Sequence, residues 1–117
     1  MTPYELQLGD LVKVADMTVK VTALSEYTIN GQPATMFHPI PLTEDVMLAN
    51  RFYFDYEEQA WKIGDYFRLN EYNIDGALAF RFAVPNQNVF LCKYFHQLQQ
   101  ILRLCGYNEL ANTLKLK

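Results

Sequence analysis

Residues 66–84, with the sequence YFRLNEYNIDGALAFRFAV, hold two β-prone runs separated by Asp75-Gly76. Asp-Gly between such runs favours a tight hairpin turn, because both positions tolerate positive φ. In the second run the side chains alternate between an apolar face and a face that carries Arg81, which is the period of a half-buried strand. The apolar face consists of Leu78, Phe80, Phe82 and Val84.

The flanks of this hairpin extend the β region in both directions. Upstream, Trp61–Ile63 has the residue types of a strand. Downstream, Pro85–Asn88 is typical of a turn and leads into a last strand, Val89–Cys92. The pattern predicts a β-hairpin region over 61–92, whereas the aromatic and acidic run at 52–58 gives no clear assignment.

The first third of the chain predicts another β region, an antiparallel meander over 5–37. Its opening, Gly9–Val14 with the sequence GDLVKV, is similar to the opening of small SH3-like β-barrels. Apolar and polar residues alternate over 17–23, as in a half-buried strand. Asn30-Gly31 favours a type I′ hairpin turn, and Ala34–Phe37 is the expected returning strand.

Two helices are predicted. Thr43 can cap a short helix over 44–49, and Asn50 can end it in the left-handed conformation. The main helix covers 94–105 and is expected to stop at Gly106. Its apolar stripe consists of Tyr94, Phe95, Leu98, Ile101, Leu102 and Cys105, and its polar side of His96, Gln97, Gln99, Gln100 and Arg103.

These elements predict an α+β fold, in which an SH3-like β-meander and a short helix precede a β-hairpin region covered by one C-terminal helix. The 117 residues fit a single domain over 1–117, and half of them are hydrophobic, which is enough for a core.

The sequence favours a cytoplasmic protein without a membrane partner. No apolar run approaches the roughly 18–20 residues that span a bilayer, and Met1–Asp10 lacks the pattern of a signal peptide. Cys92 and Cys105 are expected to be free, buried thiols, because the helix between them separates them too far for a disulfide. The sequence leaves open whether the protein forms a homo-oligomer.

Charge is divided unevenly along the chain. Residues 1–58 hold three basic and nine acidic side chains, a net of −6, and residues 59–117 hold seven and four, a net of +3. Nucleic acid would therefore meet the second half, because phosphate contacts need clustered cations. The candidate polyanion contacts are Arg68, Arg81, Lys93 and Arg103.

No catalytic, cofactor or metal motif is recognisable. The five glycines are scattered singly, which argues against a phosphate-binding loop. Cys92 and His96 have the spacing of two zinc ligands, but no second pair completes a site. An acidic run at 55–58 lacks the glycine of a calcium loop and favours a solvated loop. We expect no catalytic residue, no cofactor and no metal.

Aromatic residues give the sequence its candidate partner-binding surface. Tyr53, Phe54, Tyr56 and Trp61 lie close together in the chain, and such side chains are favoured where a partner protein docks.

Two further stretches carry a resemblance. Phe37–Glu44 (FHPIPLTE) and Lys93–Gln99 (KYFHQLQ), together with the GDLV start, resemble segments of small proteins from gut anaerobic bacteria, their phages and mobile elements. Phe95, in place of a smaller apolar residue, and a longer tail after Gly106 depart from that pattern. The family has no assigned activity. The resemblance therefore implies a biological setting, a phage or mobile element, but no mechanism.

The expected function is a non-catalytic protein-interaction or accessory module in a phage or mobile-element setting. Nucleic-acid binding through the basic second half is the first alternative. An enzyme with an unrecognised site is the second, and it predicts a concave pocket that holds His96 or His38 near a carboxylate. For His96 and Gln97 the simpler interpretation is that they bond local backbone groups in the first helical turn.

Overall fold

The computed structural model describes residues 1–63, 67–74, 77–83 and 89–116. The described residues form antiparallel β-sheets and α-helices, so the predicted α+β class is confirmed. The chain divides into two compact units. The first contains Met1–Pro41 and Tyr94–Leu114, and the second contains Leu42–Lys93 and Lys115–Lys117. The single domain over 1–117 and the SH3-like description stay predictions.

The β-structure of the first unit is only partly the meander predicted over 5–37. Strands β1 (Leu11–Val14) and β2 (Met17–Lys20) form an antiparallel hairpin, and β5 (Phe37–His38) pairs with the other side of β1. Strands β3 (Thr28–Ile29) and β4 (Gln32–Pro33) form a separate two-stranded hairpin.

The turn between β3 and β4 confirms the Asn-Gly prediction. Asn30 and Gly31 both have positive φ, 53° and 77°. The strand predicted over Ala34–Phe37 is wrong in its first part, because Ala34–Met36 forms a 3₁₀ turn before β5. Pro33 has no N–H with which to continue a ladder, so β4 ends there.

The first unit has its own apolar core, made of Leu6, Val12, Val21, Ile29, Ala34 and Phe37. Val21 follows β2 and is buried as the alternation predicts. Met17 is instead 63% exposed, since β2 is an edge strand and its first residue lies at the hairpin tip.

Helices α2 (Phe95–Leu104) and α3 (Asn108–Thr113) complete the first unit. The bounds of α2 agree with the main helix predicted over 94–105, whose end residues are its caps. Gly106 has a φ of 86° and closes a Schellman motif, in which the Tyr107 amide donates to the Leu102 carbonyl.

Helix α2 belongs to the first unit, where it packs against β1 and α3. Its predicted position over the second β region stays a prediction. On its polar side, Gln99 donates to the Gly9 carbonyl and accepts from the Leu11 amide, which ties the helix to the start of β1.

The second unit begins with helix α1 (Glu44–Ala49), whose predicted bounds are confirmed. Thr43 caps it by accepting from the Val46 amide at 3.2 Å. The left-handed conformation predicted at Asn50 is wrong; Asn50 has a φ of −110°, and Arg51 has the positive φ, 67°. The Asn50 side chain is instead buried, and its amide group donates to the Val46 and Lys115 carbonyls.

A five-stranded antiparallel sheet, in the order β10-β9-β8-β7-β6, forms the rest of the second unit. Its strands are β6 (Tyr53–Asp55), β7 (Ala60–Ile63), β8 (Phe67–Ile74), β9 (Ala77–Ala83) and β10 (Val89–Cys92). The β region therefore starts at residue 53 and not at 61, and the unassigned run at 52–58 contains an edge strand. The predicted turns at Asp75-Gly76 and Pro85–Asn88 lie outside the described residues.

One face of this sheet is an aromatic core. Phe67 stacks on Phe82 with ring centroids 4.8 Å apart, and Phe52 meets Phe67 edge to face at 6.2 Å. Trp61 is buried, and its Nε1 donates to Glu71 Oε1 at 2.7 Å. The side chains on the opposite face of the sheet do not belong to this aromatic core.

Candidate functional site

The face of the sheet opposite the aromatic core is called the outer face here. The strand register places its side chains, because residues that are direct partners in an antiparallel pair point to the same side. Tyr53 is paired with Lys62 and Lys62 with Arg68, while Arg81 is paired with both Asn70 and Leu91. The outer face consists of Tyr53, Asp55, Lys62, Arg68, Asn70, Tyr72, Arg81 and Leu91.

Three large apolar side chains are exposed on the outer face. Tyr53 is 50% exposed, Tyr72 49% and Leu91 44%. They come from strands β6, β8 and β10, so they lie across the full width of the sheet. Such exposure on one face is typical of a surface that meets a partner.

The four predicted partner-binding aromatics do not form one surface. Trp61 is 4% exposed, and Phe54 is half-buried, with its ring 5.6 Å from Trp61 and 5.0 Å from Tyr56. Tyr53 lies on the outer face and Tyr56 is exposed in the turn after β6. Strand alternation separates them, since Phe54 and Trp61 point to the core side and Tyr53 to the other.

The four predicted polyanion contacts are also dispersed. Arg68 pairs with Glu58 at 3.3 Å, and Arg103 belongs to the first unit, where it pairs with the buried Asp10. Lys93 is half-buried and belongs to the second unit, at the end of its strand region. Arg81 is exposed, and no ion pair joins it to another described residue.

Acidic groups neutralise the cations at one edge of the outer face. Lys62 Nζ lies between Asp55, at 3.2 Å, and Glu58. The pKa of Asp55 is lowered, first by the Glu58 amide that donates to it and then by Lys62. The pKa of Lys62 is raised, mainly by its hydrogen bond to Glu58. Among the described residues of this face, Arg81 is an exposed cation that no ion pair neutralises.

The first unit contains a cleft of about 350 Å³ at the start of α2, called the His96 cleft here. It is lined by Glu5, Pro39, Tyr94, His96, Gln97 and Gln100. This is the geometry predicted for the enzyme alternative, a concave pocket with a histidine and a carboxylate. His38 does not line it; that side chain is exposed on β5.

His96 was expected on the solvent side of α2, but it is 3% exposed. Its ring stacks on Tyr94 with centroids 6.0 Å apart and planes 8° from parallel, and its buried Nδ1 has no hydrogen-bond partner among the described residues. Burial lowers the pKa of His96, while the charges of Asp10 and Glu5 oppose that shift. The imidazole is therefore neutral at pH 7.

Two features of the His96 cleft bear on the enzyme alternative. Its lining residues include no serine, threonine or cysteine. A histidine base is normally held by a carboxylate or carbonyl on one ring nitrogen, and Nδ1 of His96 has no such partner in the described part of the chain. Gln97 does bond locally, since its Oε1 accepts from the Tyr94 amide at 3.1 Å.

The two cysteines and the possible metal ligands are the other chemical groups of interest in the described residues. Cys92 and Cys105 are unpaired; burial raises the pKa of Cys92 to about 12 and raises that of Cys105. Cys105 is half-buried rather than buried. Within the described residues, no three His, Cys, Asp or Glu side chains are grouped so that they could hold a metal ion.

The helices of the described ranges are all too short or too polar to cross a bilayer.

The residues that sequence reasoning missed are Tyr72, Leu91 and Glu5. Each is remote in sequence from the residues it joins, and only strand register or the folded path of the chain brings it into place.

The sequence matches no known protein-family model and no curated protein, and the fold matches no solved structure.

Proposed function

We propose that this protein is a non-catalytic interaction module that binds a partner protein through the outer face of its five-stranded sheet. One observation carries the proposal: Tyr53, Tyr72 and Leu91 are each about half exposed on the same face. The side chains opposite them on the sheet already supply the aromatic core, so burial within their own unit does not explain these three.

The chemistry of the outer face suits a protein partner. Tyrosine and arginine are enriched where proteins bind, because they combine contact area with hydrogen-bonding groups. Arg81 is exposed between the strands that carry Tyr72 and Leu91. It offers a charged contact, while Lys62 and Arg68 are already paired with acidic neighbours.

The phage or mobile-element setting is part of the same proposal. The resemblance to small proteins of gut anaerobic bacteria, phages and mobile elements supports an accessory role in such a setting. Two unpaired thiols, Cys92 and Cys105, fit a reducing compartment and support a cytoplasmic location.

Nucleic acid is the alternative occupant of this face. Tyr53 and Tyr72 could stack bases, and Arg68 and Arg81 could contact phosphates. The charges favour it less, because Asp55 and Glu58 lie at the same edge and neutralise Lys62 and Arg68. Binding of this kind must weaken steeply as salt increases.

The test compares proteins that co-purify with three forms of the tagged, full-length chain. The face variant carries Tyr53→Thr, Tyr72→Thr and Arg81→Thr, because threonine keeps the β propensity of these strand positions. The control variant carries Tyr4→Thr and Tyr27→Thr, which remove two more exposed tyrosines, 81% and 75%, from the first unit.

A protein retained by the wild type and the control but lost by the face variant is the expected result. Capture of the same proteins by all three forms, or of none by the wild type, would refute the proposal. If instead nuclease treatment abolishes the capture and direct binding of RNA or DNA falls with salt, the alternative replaces it.

A further inference from the structure

The His96 cleft carries an inference that is independent of the outer face, because it lies in the first unit. Its floor contains a buried imidazole whose Nδ1 has no partner among the described residues. Buried polar atoms are nearly always hydrogen-bonded, so one that is not, beside a cleft, indicates a missing ligand group. A half-turn of the ring exchanges Nδ1 with a carbon, so either ring edge can present a nitrogen to the cleft.

Three side chains around the cleft can accept a hydrogen bond from a ligand. Glu5 contributes a carboxylate on an exposed residue, close enough to raise the pKa of His96 by its charge. A neutral imidazole has one lone pair beside its one N–H. The Gln100 amide group donates to the Glu5 carbonyl and to Asp10, both at 2.7 Å, which leaves its oxygen for a donor. A ligand with N–H groups would match these acceptors.

The start of a helix usually favours an anion, but two of the amides at the start of α2, those of Tyr94 and Phe95, are already bonded. The Tyr94 amide donates to Gln97 Oε1 at 3.1 Å, and the Phe95 amide donates to the Ile40 carbonyl at 2.8 Å. The Glu5 carboxylate at the rim would repel an anion. Tyr94 lines the cleft, is half-buried and stacks on His96, so its ring offers an aromatic surface to a planar cation.

We propose that the His96 cleft binds a cationic nitrogen group, a guanidinium or an ammonium, with Glu5 as its counter-charge and the Tyr94 ring as its aromatic wall. The group can belong to a free small amine or to a basic side chain of a peptide. Both share the same chemistry at the cleft.

The experiment is an NMR titration of the full-length chain with ethylguanidinium. N-ethylurea is the uncharged probe of the same shape, and acetate is the anionic probe. The expected result is that ethylguanidinium alone shifts the signals of Tyr94, His96 and Gln97. Shifts of equal size with N-ethylurea, stronger shifts with acetate, or no shifts with ethylguanidinium would each overturn the proposal.

Matched variants test the role of the carboxylate. Glu5→Gln should weaken ethylguanidinium binding about fivefold, the size of an exposed ion pair. Asp16→Asn removes an exposed carboxylate elsewhere in the first unit and should leave the affinity unchanged. Equal affinities of Glu5→Gln and wild type would contradict the assigned counter-charge even if the probe binds.

A second pair of probes distinguishes the two sources of the cation. The capped tripeptide Gly-Arg-Gly and its Gly-Gln-Gly counterpart are titrated in the same way. Tighter binding of the arginine peptide than of ethylguanidinium indicates a peptide ligand, and exclusion of the peptide with retained ethylguanidinium binding indicates a free small cation.

Discussion

Asp10 is completely buried in the first unit, and its carboxylate is surrounded by donors. It accepts from the Gln7 amide at 2.8 Å and from the Gln100 side chain at 2.7 Å, and it forms an ion pair with Arg103. A buried charge of this kind is tolerated only while it is paired and hydrogen-bonded. The pair therefore joins α2 to the loop before β1 by a contact whose loss is costly.

Replacing Arg103 with methionine should lower the free energy of unfolding by about 3–5 kcal/mol, because Asp10 would remain buried without its counter-charge. Urea denaturation measures the loss. The control is Arg81→Met, which removes an exposed arginine and should change stability by less than about 0.5 kcal/mol. Adding Asp10→Asn to Arg103→Met should restore part of the loss; a further loss would contradict the argument.

His96 predicts a pH dependence of stability. Burial lowers its pKa in the folded chain below the ordinary value of 6.5, against the opposing charges of Asp10 and Glu5. The unfolded chain then takes up a proton at a higher pH than the folded chain does. The contribution of this group to stability is fully present above pH 6.5 and is lost as the pH falls from 6.5 through the folded pKa.

Unfolding free energies of the wild type and of His96→Phe, measured in urea across this range, should diverge in favour of the variant as the pH falls. Phenylalanine keeps a ring against Tyr94 but cannot be protonated. His38→Phe, which replaces an exposed histidine, serves as the matched variant for the change from histidine to phenylalanine. Parallel profiles for wild type and His96→Phe would mean that the buried imidazole is not the titrating group.

At the scale of the elements, local chemistry was enough to predict α1 and α2 but not their surroundings. Thr43 and Gly106 are cap residues whose effects lie within one turn, so the bounds of α1 and the end of α2 followed from the sequence. Gln99 was assigned to the polar side of α2, yet it is 2% exposed. A helical pattern gives the direction of each side chain but not how much of the helix its neighbours cover.

Replacing Gln99 with methionine should destabilise the chain by about 2–4 kcal/mol, because buried backbone groups would lose their partners. Its side chain bonds the Leu11 amide at 2.8 Å and the Gly9 and Ala111 carbonyls at 3.2 Å each. Gln32→Met, at an exposed position of β4, is the control and should be nearly neutral. Thermal or urea unfolding checks both, and equal effects would exclude the bridging role.

The outer face was also predictable only in part, because a local pattern does not show which residues neighbouring strands bring together. Tyr53 could be singled out because aromatics cluster near it in sequence. Tyr72 and Leu91 join it only through the register of five strands, and that register depends on pairing rather than on local composition. Trp61, one of the four predicted partner-binding aromatics, is buried in the core.

At the scale of the molecule, the second unit is inserted into the first. The first unit contains residues from both sides of the insertion, and the chain leaves and re-enters it at neighbouring points. Pro41 and Tyr94 form an antiparallel bridge there, and the Phe95 amide donates to the Ile40 carbonyl at 2.8 Å.

A chain in which Leu42–Lys93 is replaced by an Asn-Gly turn should therefore still fold as the first unit, since two residues suffice to join an antiparallel pair. Its amide NMR spectrum should be dispersed and should retain the first-unit signals, although so small a domain will be less stable than the whole chain. The same shortened chain with Gln99→Met should be unfolded. A collapsed spectrum for the shortened chain alone would show that the first unit depends on the insertion.

The insertion also determines when interacting residues of the first unit are synthesised, because synthesis proceeds from the N-terminus. Arg103, the ion-pair partner of Asp10, is synthesised 93 residues after it. Gln99, which accepts from the Leu11 amide, is synthesised 88 residues after Leu11. At the usual rate of synthesis this delay lasts about 5 to 20 seconds. During that time the whole inserted unit leaves the ribosome, while β1 and β2 stay without the helix that will hold them. The hairpin of β1 and β2 therefore reaches its final packing only after α2 has been made.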